Sequence, residues 1–388
     1  MTENLQVGGW LKATHEVDVV AASTSSAIGL VVAGGAEISV SADRGNLSLK
    51  TAGTMLIGGR VETTGYAAAP VLATGGTLAQ ADASSAPAVY VGGRLFAQGS
   101  ATLLLGSGEA TSVASDLTID VTGSIETIDG SVRAINGRHG TLDGPIVARD
   151  ATADAELVGF DSLDVRGRIV AGQRLTLGAN SAAAIGAMTT GAMTSDAAAT
   201  GAVTVFATSM LESQTSVLIE GRSVDFRGLL TTTSATATTT DREIVVRATG
   251  TDASDSVQLS GQFDVAGSVG IESNRDVRMT DFVSIQSGAA SGWSITADGD
   301  VLLGDVEQNP DGTYRSLAVR MQAARFFDVT SGGRFALSGG SRLAVSDAEG
   351  QFTATASDSV SLIGSIHGGA SFNSAGQLIW TGRDASVS

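Results

Sequence analysis

The sequence predicts an all-β parallel solenoid, a β-helix with coils of about 19 residues and inserted loops. Three observations predict it: a composition of small and β-branched residues, a hydropathy period of two, and a glycine-led phrase that recurs along the chain.

Composition sets the width of the core. The 388 residues include 50 Gly and 4 Pro, with 4% aromatic and 16% charged residues. A mean hydropathy of +0.20 is too apolar for a disordered tail, and the glycine–proline period of collagen is missing. So few aromatics fill a broad globular core poorly, whereas a narrow core of stacked Val, Leu, Ile and Ala layers suits this inventory.

The period of two places the strands. Ala36 to Ala42 (AEISVSA), Asn46 to Thr51 (NLSLKT), Leu117 to Val121 (LTIDV) and Ser162 to Val165 (SLDV) alternate apolar with polar or small residues. Between such runs stand Asp43-Arg44-Gly45-Asn46, Asp129-Gly130 and Asp298-Gly299-Asp300, which suit tight turns.

The recurring phrase sets the coil. GRVETTG from Gly59, GRLFAQG from Gly93, GRIVAGQ from Gly167, GQFDVAG from Gly261 and GRFALSG from Gly333 start 34, 74, 94 and 72 residues apart. Those steps lie near two, four, five and four multiples of a coil of about 18 to 19 residues. At ~4.8 Å between stacked strands, roughly 20 coils and a rod of about 90 to 100 Å are expected. Inward ladder positions would include Ile169 and Leu175. The stretches near 182–201 and 231–240 break the pattern and read as excursions within a single solenoid over residues 1–388. Strand patterning starts almost at once and reaches Leu378 to Trp380, so the chain reads as a segment of a longer one, with no signal peptide visible.

Charge restricts the partners. Forty acidic against 23 basic residues give a net charge of −17, which repels nucleic acid and anionic membranes. No apolar run approaches the roughly 20 residues that span a bilayer. The chain has no Cys, which removes disulfides and thiolate metal sites.

Gly167 to Asn180, GRIVAGQRLTLGAN, resembles the coil of the filamentous haemagglutinin repeats of large bacterial exoproteins, in which G-x-I-x-A-G precedes an L-x-L strand. Val91 to Gly106 (VGGRLFAQGSATLLLG) resembles it too, and Gln258 to Gly267 and Gly299 to Gly304 do so more loosely. The resemblance implies a right-handed parallel β-helix, secreted across the outer membrane of a Gram-negative bacterium and displayed as a stiff fibre. It departs from the family in lacking the amino-terminal secretion domain, and its Asn and Gln ladders are sparse.

Residues with catalytic potential are scattered. His15, His139 and His367 show no metal spacing, and no G-x-S-x-G elbow joins a strand to a helix. Parallel β-helices also carry polysaccharide-degrading activity through paired carboxylates. The candidate pairs are Asp116/Asp120, Asp161/Asp164 and Asp298/Asp300, each with a plain reading as a turn or a solvated strand face. Trp10, Trp293, Trp380, Tyr66, Tyr90 and Tyr314 are too dispersed in sequence to suggest a sugar cleft. Weak calcium binding near Asp298 and Asp300 fits the acidity, although no calcium-loop spacing is present. Thr236-Ala237-Thr238 and Thr353-Ala354-Thr355 are isolated, which argues against an ice-binding array. Gly58-Gly59 and Gly92-Gly93 precede strands, so they read as corners and not as phosphate loops.

These readings converge on the structural stalk of a secreted, surface-displayed bacterial adhesin or exoprotein, not an enzyme, without catalytic, cofactor or metal residues. Its expected partners are neighbouring solenoid segments, copies of itself, or a host or cell-surface glycan or protein. The alternatives are a polysaccharide lyase or glycosidase on the same fold, and a phage fibre or surface-layer component.

Overall fold

The computed structural model describes residues 5–21, 28–51, 53–66, 69–74, 88–105, 115–135, 137–178, 201–233, 244–286, 291–308, 313–347, 350–374 and 378–380. They are all-β, with no helix among them, and form a parallel β-helix in which each coil contributes one strand to each of three parallel sheets. The stretch 182–200 and most of 231–240 fall outside the described residues; Thr231 and Thr232 end a strand.

Two compact units are present, Met1–Gly201 with Glu212–Gln214, and Ala202–Leu211 with Thr215–Ser388. In the first unit a coil begins with a strand such as Thr54–Ile57 on the first face. It continues through Arg60–Thr63 on the second and Ala69–Thr74 on the third. Seven coils stack this way. Their register fixes an aliphatic column from Ile38 through Val61, Leu95, Ile125 and Ile146 to Ile169. All six are fully buried or nearly so. Burying each Leu or Ile contributes about 1.5–3 kcal/mol, and the β-branched members also suit the pleated backbone. Leu175 is buried as well, so both inward positions expected from the sequence face the core.

The second unit repeats the scheme with a different filling. Trp293, Phe327 and Phe352 are register neighbours on the third face. Their rings stand 6.4 and 6.1 Å apart. Phe263, on the second face, stacks against Trp293 at 6.0 Å. Aromatics that look dispersed in sequence are thus gathered by the register into one interior column.

The coil is longer than the phrase spacing predicts. Leu117, Gly140 and Leu163 are consecutive partners 23 residues apart, and Val277 and Val301 are 24 apart. The 34-residue step from Gly59 to Gly93 is one coil with an insertion, because Arg60 pairs directly with Arg94. The first four phrases open second-face strands, but GRFALSG leads into Phe335–Leu337 on the first face. The sequence period therefore mixed two faces and undercounted residues per coil.

The phrase marks a corner. From the first face to the second, the chain turns through two residues ending in glycine, as at Gly58-Gly59, Gly92-Gly93, Arg166-Gly167, Arg227-Gly228 and Ser260-Gly261. A Cβ on Gly93 would intrude on the carbonyl oxygen of Gly59 one coil away, and one on Gly261 on that of Gly228. Gly9, on the first coil, has open space at the same corner. Gly93→Ala should therefore destabilise the first unit by about 2 kcal/mol or more, while Gly9→Ala stays near neutral; equal thermal shifts in the two variants would refute the crowded corner.

At a second kind of corner, in the first unit, polar side chains form a ladder. Ser100 Oγ accepts the Ser131 N–H, Ser131 Oγ accepts that of Asp154, and Asp154 accepts that of Arg174, at 3.0 to 3.1 Å. Backbone donors that leave the sheets at the turn are thereby satisfied.

Candidate functional site

Among the candidates from sequence, the structure brings Asp116, His139 and Asp161 into one neighbourhood, on the outer surface of the first face in the first unit. The strands responsible are Ser115–Ile119, Gly137–Leu142 and Ser162–Val165. A register shift between Ser115 and Leu117 bulges the middle strand, so that Arg138 and His139 both turn away from the core.

Arg138 grips Asp116 through two hydrogen bonds of 2.8 and 2.6 Å. The Asp116 carboxylate holds the Arg138 guanidinium above its usual range; burial opposes this, and the nearby Asp161 charge adds to it. His139 Nδ1 lies 2.7 Å from Ser162 Oγ on the adjacent coil. That is a hydroxyl and a base within proton-transfer reach.

The remaining parts of a nucleophilic triad are not assembled among the described residues. Asp116 accepts the backbone N–H of His139, at 3.2 Å, and not its ring. Its charge is already matched by Arg138. Neither a helix N-terminus nor a nest of N–H groups faces Ser162 to hold an oxyanion. The arrangement offers an exposed polar patch of hydroxyl, imidazole and ion pair, suited to hydrogen bonding with a polar ligand.

The other pairs separate into local roles. Asp120 sits in a turn, accepting from the Tyr90 hydroxyl at 2.7 Å and from the Val121 N–H at 2.7 Å. Val121, read as part of a strand, is exposed beyond the strand end. The Tyr90 hydroxyl, then the Val121 N–H, hold the Asp120 carboxyl below the ordinary aspartate range, and the same bond raises the Tyr90 phenol. A depressed carboxylate stabilises the fold above the unfolded pKa, and that contribution is lost as pH falls through the folded value. Tyr90→Phe should move the Asp120 titration upward; a carboxyl NMR titration unchanged by the variant would contradict the linkage.

Asp164 approaches Arg166 at 3.5 Å. Asp300 accepts from the backbone N–H and Nε of Arg334, at 2.9 and 2.8 Å, and donates its own N–H to Asp276 at 3.0 Å. The carboxylate considered for calcium is thus engaged in a corner ladder. No group of three or more His, Cys, Asp or Glu among the described residues could hold a metal ion. His15 and His367 lie on other coils, and His367 belongs to the second unit.

Thr353 and Thr355, isolated in sequence, are stacked by the register on Asp328 and Thr330, which stack on Ser294 and Thr296. Thr236 to Thr238 lie outside the described residues. Periodicity along the chain could not reveal this column, because the two steps between its coils differ, 34 residues and then 25.

Fold and surface define an all-β repeat protein, a parallel β-solenoid. No family model matches the chain, and neither does any curated protein or solved structure.

Proposed function

We propose that the chain is a structural segment of a secreted bacterial surface protein, the stalk of an adhesin or exoprotein, with no catalysis of its own. The observation that carries this reading is the in-register pairing of successive coils on all three faces within each unit. Hydrogen bonds and side-chain columns then both run along the stacking direction, which is what a load-carrying element needs. The likeness of Gly167 to Asn180 to filamentous haemagglutinin coils supports secretion and surface display. Neighbouring solenoid segments, further copies, or a host glycan or protein are the partners this role requires.

Small-angle scattering of the purified chain tests the reading. An elongated profile is expected, and the profile of a compact sphere would count decisively against a stalk.

The contact between His139 and Ser162 is the one observation that favours an enzyme. Incubation with neutral and acidic polysaccharides is expected to release no reducing ends or unsaturated products. Release that disappears in His139→Ala would replace the stalk by a hydrolase or lyase.

A further inference from the structure

One strand of the second unit runs against the alternation. Val283–Gln286 turns Val283 and Ile285 outward, 36% and 49% exposed, and buries Ser284 and Gln286. Ser284 therefore stands on an interior rung between Phe263 and Met321. Ser284 Oγ, Gln286 Oε1 and the nearby Trp293 Nε1 are buried without a hydrogen-bond partner among the described residues. Buried polar atoms in that condition are costly, so something must force the arrangement.

The corner before the strand supplies the force. One coil earlier, two residues, Ser260-Gly261, lead from Leu259 to Gln262. Here three residues, Thr280-Asp281-Phe282, lead from Met279 to Val283, although Leu259 pairs with Met279 and Gln262 with Val283. One extra residue has entered the corner, and in a strand of period two a single residue reverses every side chain.

The extra residue follows from a missing glycine. In a two-residue corner Asp281 would take the place that Gly261 takes in the coil before. A Cβ at Gly261 would intrude on the Gly228 carbonyl. The Gly261 carbonyl stands in the corresponding position for the next coil, since Val283 donates to it at 3.1 Å, just as Gln262 donates to Gly228 at 2.9 Å. Asp281 escapes into the left-handed region at φ 49, which Asp tolerates better than most residues. Its carboxylate pairs with Arg315 from the exposed hairpin Asp305–Gln308 and Tyr314–Leu317. Phe282 is driven inward, its ring 5.1 Å from Phe263 and 5.9 Å from Trp293.

We infer that Asp281 sets the register of this coil, and that Val283–Gln286 has a second register, displaced by one residue, in which Val283 and Ile285 face the interior and Ser284 and Gln286 face solvent. The hairpin, through Arg315, favours the observed register. A surface arm and the interior packing of the unit are thereby coupled at one ion pair.

The chain has no cysteine, so a single introduced thiol reports on its own position. In otherwise wild-type protein the thiol of Ile285→Cys should react with a maleimide on the order of tenfold faster than that of Ser284→Cys, as exposure dictates. In an Asp281→Gly background, which opens the two-residue corner, the order should reverse. Asp281→Ala keeps the Cβ and should preserve the wild-type order. An unreversed order in the glycine variant, or a reversal in the alanine variant as well, overturns the inference. Should Asp281→Gly fail to fold, adding Val283→Thr and Ile285→Thr removes the drive toward the second register and must restore the circular dichroism of the sheet; failure of that rescue overturns it equally.

Discussion

Trp293→Ala is expected to destabilise the second unit by about 4 kcal/mol, as large-to-small changes at buried aromatics do, read as a lowered urea midpoint by far-UV circular dichroism. Trp293 is fully buried and touches the interior from two directions. Phe263 stacks on one side of it and Phe327 on the other, with interplanar angles of 23° and 10°. Phe282 adds an edge-on contact. Neighbouring coils are hydrogen-bonded at a fixed spacing and cannot collapse into the space left behind. Trp10→Ala is the matched control, since Trp10 is 79% exposed on the first coil, and its removal should change stability by less than about 0.5 kcal/mol. Comparable losses in the two variants would show that the aromatic column is not what holds the unit together.

Arg247→Ala should cost about 3 kcal/mol, by a different route. On the outer side of the third face, Glu220, Arg247 and Glu272 are consecutive register partners. Arg247 lies 3.3 Å from Glu220 and 2.8 Å from Glu272. Glu220 is 1% exposed, so the variant would leave a buried carboxylate without its cationic neighbour. The expense lies in the broken pair rather than in the pair's net value. Replacing Glu220, Arg247 and Glu272 together by Leu, Met and Leu should recover most of the loss. Chemical denaturation of the single and triple variants checks both statements. A triple variant as unstable as the single one would mean that the charges contribute on their own account.

The strands were the legible part of the sequence. Glu37–Val40, Asn46–Thr51 and Ser162–Val165 occur where alternation of apolar and polar residues places them, because a strand with one face in the core writes its period directly into the chain. The coil was harder to read. Its length is set by insertions at the corners, which carry no common pattern, so the Gly59 and Gly93 phrases, adjacent in space, looked two coils apart. Val283–Gln286 failed for another reason: its apolar residues alternate correctly, but a backbone restriction at Asp281 outweighs the pattern.

The candidate site was half visible. Asp116, His139 and Asp161 could be named as chemically capable residues, but nothing in their spacing of 23 and 22 positions announced that stacking would make them neighbours. Ser162 and Arg138, the two that bond to them, carry no signal in a chain rich in both residue types. The aromatic column was missed likewise, because partners in a solenoid are separated by a variable coil and not by a fixed count.

The hairpin Asp305–Gln308 and Tyr314–Leu317 has a practical consequence. It enters the chain between Val301–Leu303 and Arg320–Ala323, yet Val301 still pairs with Phe335 and Met321 with Leu343. The sheets tolerate the excursion because it leaves and returns at one corner, and the entropy of closing a longer loop there grows only slowly with its length. That corner is therefore a graft point: a foreign epitope or a small folded domain spliced between Gln308 and Tyr314 should be carried on the solenoid with its melting temperature changed by only a few degrees, on the order expected for a perturbation of about 1 kcal/mol.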